Sequence, residues 1–188
     1  MKKELRRVSL FILALFATLF VATSSIQFVW ASNLSADQRN VRTLYDSYKT
    51  KRGAILVNGK AIVESVATGD EYYYQRSYGD QMYSSVTGFY SLFQGATGLE
   101  HAMNSYLTGQ NSTQFFERIN ALFSGNPISG ANVELTLDPD VQQAAYDALG
   151  KLNGAVVAID PKTGRILALV SKPSFNANLL ASHVSSKA

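Results

Sequence analysis

Gly154-Ala155-Val156-Val157-Ala158-Ile159, Asp160-Pro161-Lys162-Thr163-Gly164-Arg165 and Ile166-Leu167-Ala168-Leu169-Val170 carry the most structural information in this chain of 188 residues. The two outer runs are apolar throughout and do not alternate. They are rich in β-branched and aliphatic side chains, and too short for helices in a compact domain. The middle run offers an Asp-Pro start and a glycine finish, the chemistry of a tight connection. The stretch therefore reads as a β-hairpin. Strands apolar on both sides belong inside a sheet covered on both faces, and an isolated hairpin is marginal in water. Covering elements are scarce in the flanking sequence. Upstream, Asp138-Pro139 supplies an N-cap and a proline at the first helical position. The helix it starts is expected to run to Leu149, with Val141, Ala144, Ala145 and Leu149 inward, and Gly150 closes it. Downstream, only 18 residues follow Val170. The expectation is that further strands and helices of this sheet lie outside the sequence.

Further upstream, the alternating run Asn132–Leu137 reads as a strand, and a domain boundary is expected near Gly130. Ser124-Gly125-Asn126-Pro127 is a helix stop, preceded by an expected helix over Thr113–Phe123 with Phe116, Ile119 and Phe123 on one stripe. A second helix is expected over Gly98–Leu107, with Leu99, Met103 and either Tyr106 or Leu107 inward. Tyr72-Tyr73-Tyr74-Gln75-Arg76 reads as a strand with amphipathic faces; sugar stacking by its tyrosines is the less favoured alternative. Ala54–Val57 and Lys60–Val66 flank Asn58-Gly59, the strongest short hairpin signal, because both turn residues must take positive φ. Asp37–Tyr48 carries Val41, Leu44, Tyr45 and Tyr48 at helical spacing.

The N-terminus differs in kind. Val8–Trp30 holds no charged residue over 23 positions. As a helix it would be about 35 Å long, enough to cross a hydrocarbon core of roughly 30 Å. Lys2, Lys3, Arg6 and Arg7 against Glu4 give +3 in the first seven residues. The remaining 13 basic and 13 acidic residues cancel. A basic flank predicts a cytoplasmic N-terminus, and Trp30 sits where an interfacial anchor belongs. A cleaved signal peptide is the alternative, but its apolar region is usually only about 7–15 residues. The balanced body argues against nucleic acid as a partner; the bilayer is the expected one.

Chemistry is sparse. There is no cysteine, which excludes disulfides, thiolate metal sites and cysteine nucleophiles. His101 and His183 have no ligand-spaced partners, so neither a metal site nor a cofactor site is expected. No nucleotide-binding glycine loop and no Gly-x-Ser-x-Gly elbow occurs. Lys162-Thr163-Gly164 and Ser124-Gly125-Asn126 match active-site triplets of penicillin-interacting enzymes by letter, but both fall in turns, and Ser-x-x-Lys is absent.

The hairpin Gly154–Phe175, together with the lead-in Leu135–Gln143, resembles the opening of the transpeptidase domain of class B penicillin-binding proteins. Arg52-Gly53 through Asn58-Gly59 resembles the first motif of their pedestal module. Arg76-Ser77-Tyr78 with Gly88 resembles the second, lacking the usual proline after tyrosine. Gly98-Leu99-Glu100 through Gly109 resembles the third. Val86–Ser91 and Asn178–His183 are most similar to actinobacterial members, with Asn176 standing where aspartate is common.

The resemblance implies an α+β fold: residues 1–7 a cytoplasmic tail, 8–30 a transmembrane anchor, 31–130 a non-catalytic pedestal resembling a dimerisation module, and 131–188 the start of an incomplete transpeptidase domain. It implies structural roles for Arg52, Gly53, Arg76, Gly98 and Glu100, with Arg52 and Glu100 expected to pair. The family joins peptidoglycan stem peptides by D,D-transpeptidation, in wall synthesis or cell division. Its full-length members bind stem peptides, penicillin and, by expectation, other wall-synthesis or division proteins. Their Ser-x-x-Lys nucleophile would lie past the end of this sequence, so no catalytic residue is expected here. A membrane-anchored envelope scaffold without catalysis is the alternative.

Overall fold

The computed structural model describes residues 2–31, 47–111, 123 and 129–184. Two compact units divide the chain, Met1–Thr43 and Leu44–Ala188.

In the first unit, α1 (Lys2–Ser24) continues into a π-helical turn, Ser25–Val29. The stretch Lys3–Val29 is long and apolar enough to cross a membrane, and its aliphatic and aromatic side chains are exposed. The helix starts inside the basic segment instead of at Val8. Hydroxyls along it are silent: Thr18, Thr23 and Ser25 bond back to carbonyls one turn earlier.

The second unit is α+β. A four-stranded sheet runs in the order β3-β2-β1-β6, with β1 Ile55–Val57, β2 Lys60–Ala67, β3 Tyr74–Tyr78 and β6 Val133–Leu135. β1 and β2 form the expected hairpin, with Asn58 at φ 50° and Gly59 at φ 72°. Between β3 and β6 come a 3₁₀ turn (Gln81–Tyr83), α2 (Ser84–Thr87), the small β4–β5 ribbon (Tyr90–Ser91, Gly95–Ala96), α3 (Gly98–Ala102) and α4 (Asn104–Leu107). After β6 come α5 (Pro139–Leu149), a separate hairpin β7–β8 (Gly154–Ile159, Ile166–Lys172) and α6 (Ala177–Leu180). Ile55, Val63, Tyr78 and Leu107 form one core cluster, which Ala177 and Ala181 join from the far end of the sequence. Val57, Met82, Tyr83 and Leu137 form another.

Several expectations need correction. The tyrosine strand starts later, at Tyr74, because Tyr73 takes φ 63° and ends the preceding loop. The expected helix over 98–107 breaks at Met103, whose ψ of 18° leaves the helical region; Leu107 is the inward residue and Tyr106 the exposed one. The strand after Gly130 is shorter and pairs in parallel with β1, Ile55 opposite Val133 and Val57 opposite Leu135. It does not extend the hairpin that follows it.

The inward face of α5 is Gln142, Ala145, Tyr146 and Leu149, while Val141 and Ala144 face outward. A polar residue occupies the centre of the buried stripe, and apolar periodicity alone displaces that stripe by one position. Expected helices over 113–123 and 37–48 fall outside the described residues, save Phe123 in the first and Ser47 and Tyr48 in the second.

Candidate functional site

Glu100 is the chemical centre of the second unit. Its residue is fully buried, and Arg52 and Arg76 beside it are nearly so. Arg52 Nη2 lies 2.8 Å from Oε2, so the pair expected from the sequence forms. Arg76 Nη2 lies 2.7 Å from Oε1, and Arg76 Nε donates to the same oxygen at 2.8 Å.

Remaining donors are largely spent on neighbours. Arg52 Nη1 donates to Asn104 Oδ1 at 2.7 Å, and Arg52 Nη2 also reaches the Glu100 carbonyl at 3.2 Å. Arg76 Nη1 donates to the Gly53 carbonyl and to Ser65 Oγ, both at 3.0 Å. Two guanidiniums thus share one carboxylate. The excess positive charge is met by π density: the Arg52 guanidinium carbon sits 3.9 Å from the centroid of Tyr90, an attraction that strengthens where water is excluded.

Local sequence explains how these groups converge. Arg52 directly precedes the chain's entry to β1, Arg76 is the buried centre of β3, and Glu100 lies in the first turn of α3. Gly53 passes so close to the next segment that a Cβ there would fall 1.8 Å from the Ala131 carbonyl oxygen. Gly98 sits at φ 56°, and a Cβ there would lie 2.7 Å from the Gly88 nitrogen. Both positions require glycine, one by close approach and one by backbone conformation as well.

Around this node lies an aromatic nest. Tyr48 stacks on Tyr90 at 4.7 Å between centroids. Ser47 Oγ forms a short hydrogen bond with the Tyr90 hydroxyl. His183 meets Tyr48 and Tyr72 edge-on. Burial pushes the hydroxyls of Tyr48, Tyr78 and Tyr90 above the ordinary tyrosine range, with neighbouring acidic groups adding to it. These tyrosines stay neutral; the hydroxyls of Tyr78 and Tyr90 hydrogen-bond, and Tyr48 contributes packing. His183 Nδ1 lies 2.5 Å from Asp70 Oδ2. Burial pushes Asp70 upward, but bonds from Thr68, His183 and the Tyr72 amide outweigh it and hold the carboxyl below its usual range.

The residues singled out from the sequence therefore meet: Arg52, Gly53, Arg76 and Glu100 in direct contact, Gly98 two residues from Glu100. Sequence reasoning assigned no role at this node to Asn104, Ser65, Tyr78 or Tyr90. Asn104 is four residues after Glu100, a spacing that places side chains together on a helical surface. Tyr78 is two after Arg76 on one strand face. Such an arrangement locks backbone segments together. No group of three or more His, Asp or Glu side chains that could hold a metal ion occurs among the described residues.

Two side-chain amides do similar work elsewhere. Gln142 gives Nε2 to the carbonyls of Met82 (2.8 Å) and Leu169 (3.1 Å), and its Oε1 accepts from the Leu169 amide at 2.9 Å. Asn178 exchanges both bonds with the Tyr78 backbone at 2.8 Å. Lys162 and Thr163 are held in their turn by Asp160, and the Lys-Thr-Gly triplet is a connection. The Thr163 bond leads in drawing the Asp160 carboxyl below its usual range.

Comparison with known proteins gives this architecture a lineage. Residues 52–133 match the model of the penicillin binding protein A dimerisation domain. The peptidoglycan D,D-transpeptidase PbpA of Mycobacterium tuberculosis is 42% identical over 189 residues, covering 97% of this chain and 38% of that protein. Its counterpart in Mycolicibacterium smegmatis is 43% identical over the same shares. Among solved structures, penicillin-binding protein A from M. tuberculosis as a ceftriaxone acyl-enzyme complex superposes with a TM-score of 0.73 at 41% identity, over 76% of this chain and 34% of that one. Spanning little more than a third of these relatives' length, the chain is similar over that span to class B penicillin-binding proteins.

Proposed function

We propose that this chain is the anchor, pedestal and entry region of a peptidoglycan D,D-transpeptidase. Residues 1–7 would be a cytoplasmic tail, 8–30 a single-pass anchor, 31–130 the non-catalytic pedestal and 131–188 the first elements of the transpeptidase domain. The bulk would lie outside the membrane, among peptidoglycan stem peptides and wall-synthesis or division proteins. The Arg52–Glu100–Arg76 node is the pedestal's fastening. It fixes the entry to β1, the β3 strand and α3 relative to one another, so that β6 and α5 leave the pedestal in a set direction.

The observation that carries this reading is the hairpin β7–β8. On one side it rests on α5, where Lys172 Nζ lies 3.8 Å from the Tyr146 ring centroid. On the other side Val157 and Ile159 remain 53% and 56% exposed. An apolar sheet face of this kind suits a strand pair that further protein covers, and the relatives are longer proteins. Catalysis would belong to that further part, since no Ser-x-x-Lys occurs in the 188 residues and acyl-enzyme chemistry needs an activated nucleophile.

Labelling with fluorescent penicillin tests the assignment. The 188-residue chain should give no covalent band. A chimera in which it replaces the matching region of the M. smegmatis relative should give one, and Glu100→Ala in that chimera should abolish its accumulation. A boil-resistant band on the short chain, or an unaffected Glu100→Ala chimera, contradicts the assignment.

A further inference from the structure

The helix α1 does not begin where the apolar run begins. It starts at Lys2, so the basic segment is part of the same rigid rod. At 3.6 residues per turn, Lys3, Arg6 and Arg7 stand at i, i+3 and i+4, within an arc of about 100°. All three are exposed. Glu4 points further round, beyond Arg7, and Leu5 lies on the opposite side. Had the segment been extended, these charges would have scattered around the axis. As a helix they form one cationic stripe, directly before the first of 23 uncharged positions. The excess charge of the whole chain, +3, resides here.

We infer that this stripe is a binding surface for the phosphate groups of anionic phospholipids in the leaflet next to the N-terminus. The inference rests on the reading of α1 as a membrane anchor. In that setting Lys3, Arg6 and Arg7 stand at headgroup depth, and long basic side chains extend towards phosphates while their stems cover apolar surface. Three cations on one side attract anionic lipid to one flank of the helix. The opposite flank, with Leu5, carries none. The attraction is electrostatic and weakens with salt over a Debye length of about 10 Å at 0.1 M.

The full chain reconstituted in phosphatidylcholine vesicles containing phosphatidylglycerol gives the test, with spin-labelled versions of each lipid reporting which one the protein immobilises. Labelled phosphatidylglycerol should be enriched at the protein by about threefold or more over labelled phosphatidylcholine. The enrichment should fall in high salt and vanish in the K3Q/R6Q/R7Q variant, which should still float with the vesicles. Equal association of both lipids with the unmodified chain, or enrichment that survives the triple substitution, overturns the inference while leaving the anchor intact. A chain that does not float with vesicles overturns the anchor reading and this inference with it.

Discussion

Glu100 neutralises two buried cations, and its loss should be felt more than that of either partner. Removing one member of a buried pair leaves an uncompensated charge at a cost of about 3–5 kcal/mol. In Glu100→Gln two guanidiniums would face each other across a neutral amide, so unfolding of residues 31–188 in urea should show a loss at the top of that range. Arg52→Lys should cost less, because charge remains while the fork to Asn104 and the stacking on Tyr90 are lost.

Asp70 makes a second residue-scale prediction. Its carboxyl is held below the ordinary range when folded. A group with a depressed folded value stabilises fully above its unfolded pKa of about 3.9, and that contribution disappears as pH falls through the folded value. Thermal melting should therefore show an acid-side loss setting in below about pH 5 that is smaller in Asp70→Asn. Equal acid sensitivity in the two proteins would remove Asp70 from the account. The charged members of the node were legible through resemblance, because Arg52, Arg76 and Glu100 are the charged residues of the three stretches that resemble the family's pedestal motifs. Tyr90 was not, since a tyrosine in a two-residue strand has no periodicity to betray that it underlies an arginine.

At the scale of elements, α5 shows what a hydrophobicity pattern can and cannot reveal. Its start at Asp138-Pro139 and its stop at Gly150 follow from local chemistry, and both are found. Its buried face could not be read from apolar spacing, because the most buried residue is Gln142. That amide occupies the outer edge of β8 as a neighbouring strand would, joined there by the Asp138 amide, which donates to the Leu167 carbonyl at 2.8 Å. The edge of β8 is therefore partly capped. Gln142→Leu should leave the amide of Leu169 unpaired, while its carbonyl keeps the bond from Ser85 Oγ at 3.2 Å. An unsatisfied buried polar group costs about 1–3 kcal/mol, and the variant should melt earlier and aggregate more readily through the exposed edge. A variant as stable as the parent would show that water satisfies Leu169 equally well. The Asn58-Gly59 hairpin needed no such help, since its turn chemistry and flanking patterns agree. The parallel pairing of β6 with β1 was hidden, because contact between residues nearly eighty positions apart leaves no trace in local sequence.

For the molecule as a whole, polar side chains and small residues fasten the second unit together, and the hairpin β7–β8 keeps one apolar face exposed, at Val157 and Ile159. The hairpin's apolar character was plain in Gly154–Val170, and so was the need for covering elements. Each exposed Val, Leu or Ile forgoes about 1.5–3 kcal/mol of burial, so the hairpin should be the least protected part of the sheet structure. Hydrogen exchange compares this directly. In the 188-residue chain, amides of β7 and β8 should exchange faster than those of β1 and β2. In the chimera with the remainder of the M. smegmatis relative, β7 and β8 should become protected while β1 and β2 change little. Equal exchange of β7 and β8 in the two proteins would contradict the claim that this face is built to be covered.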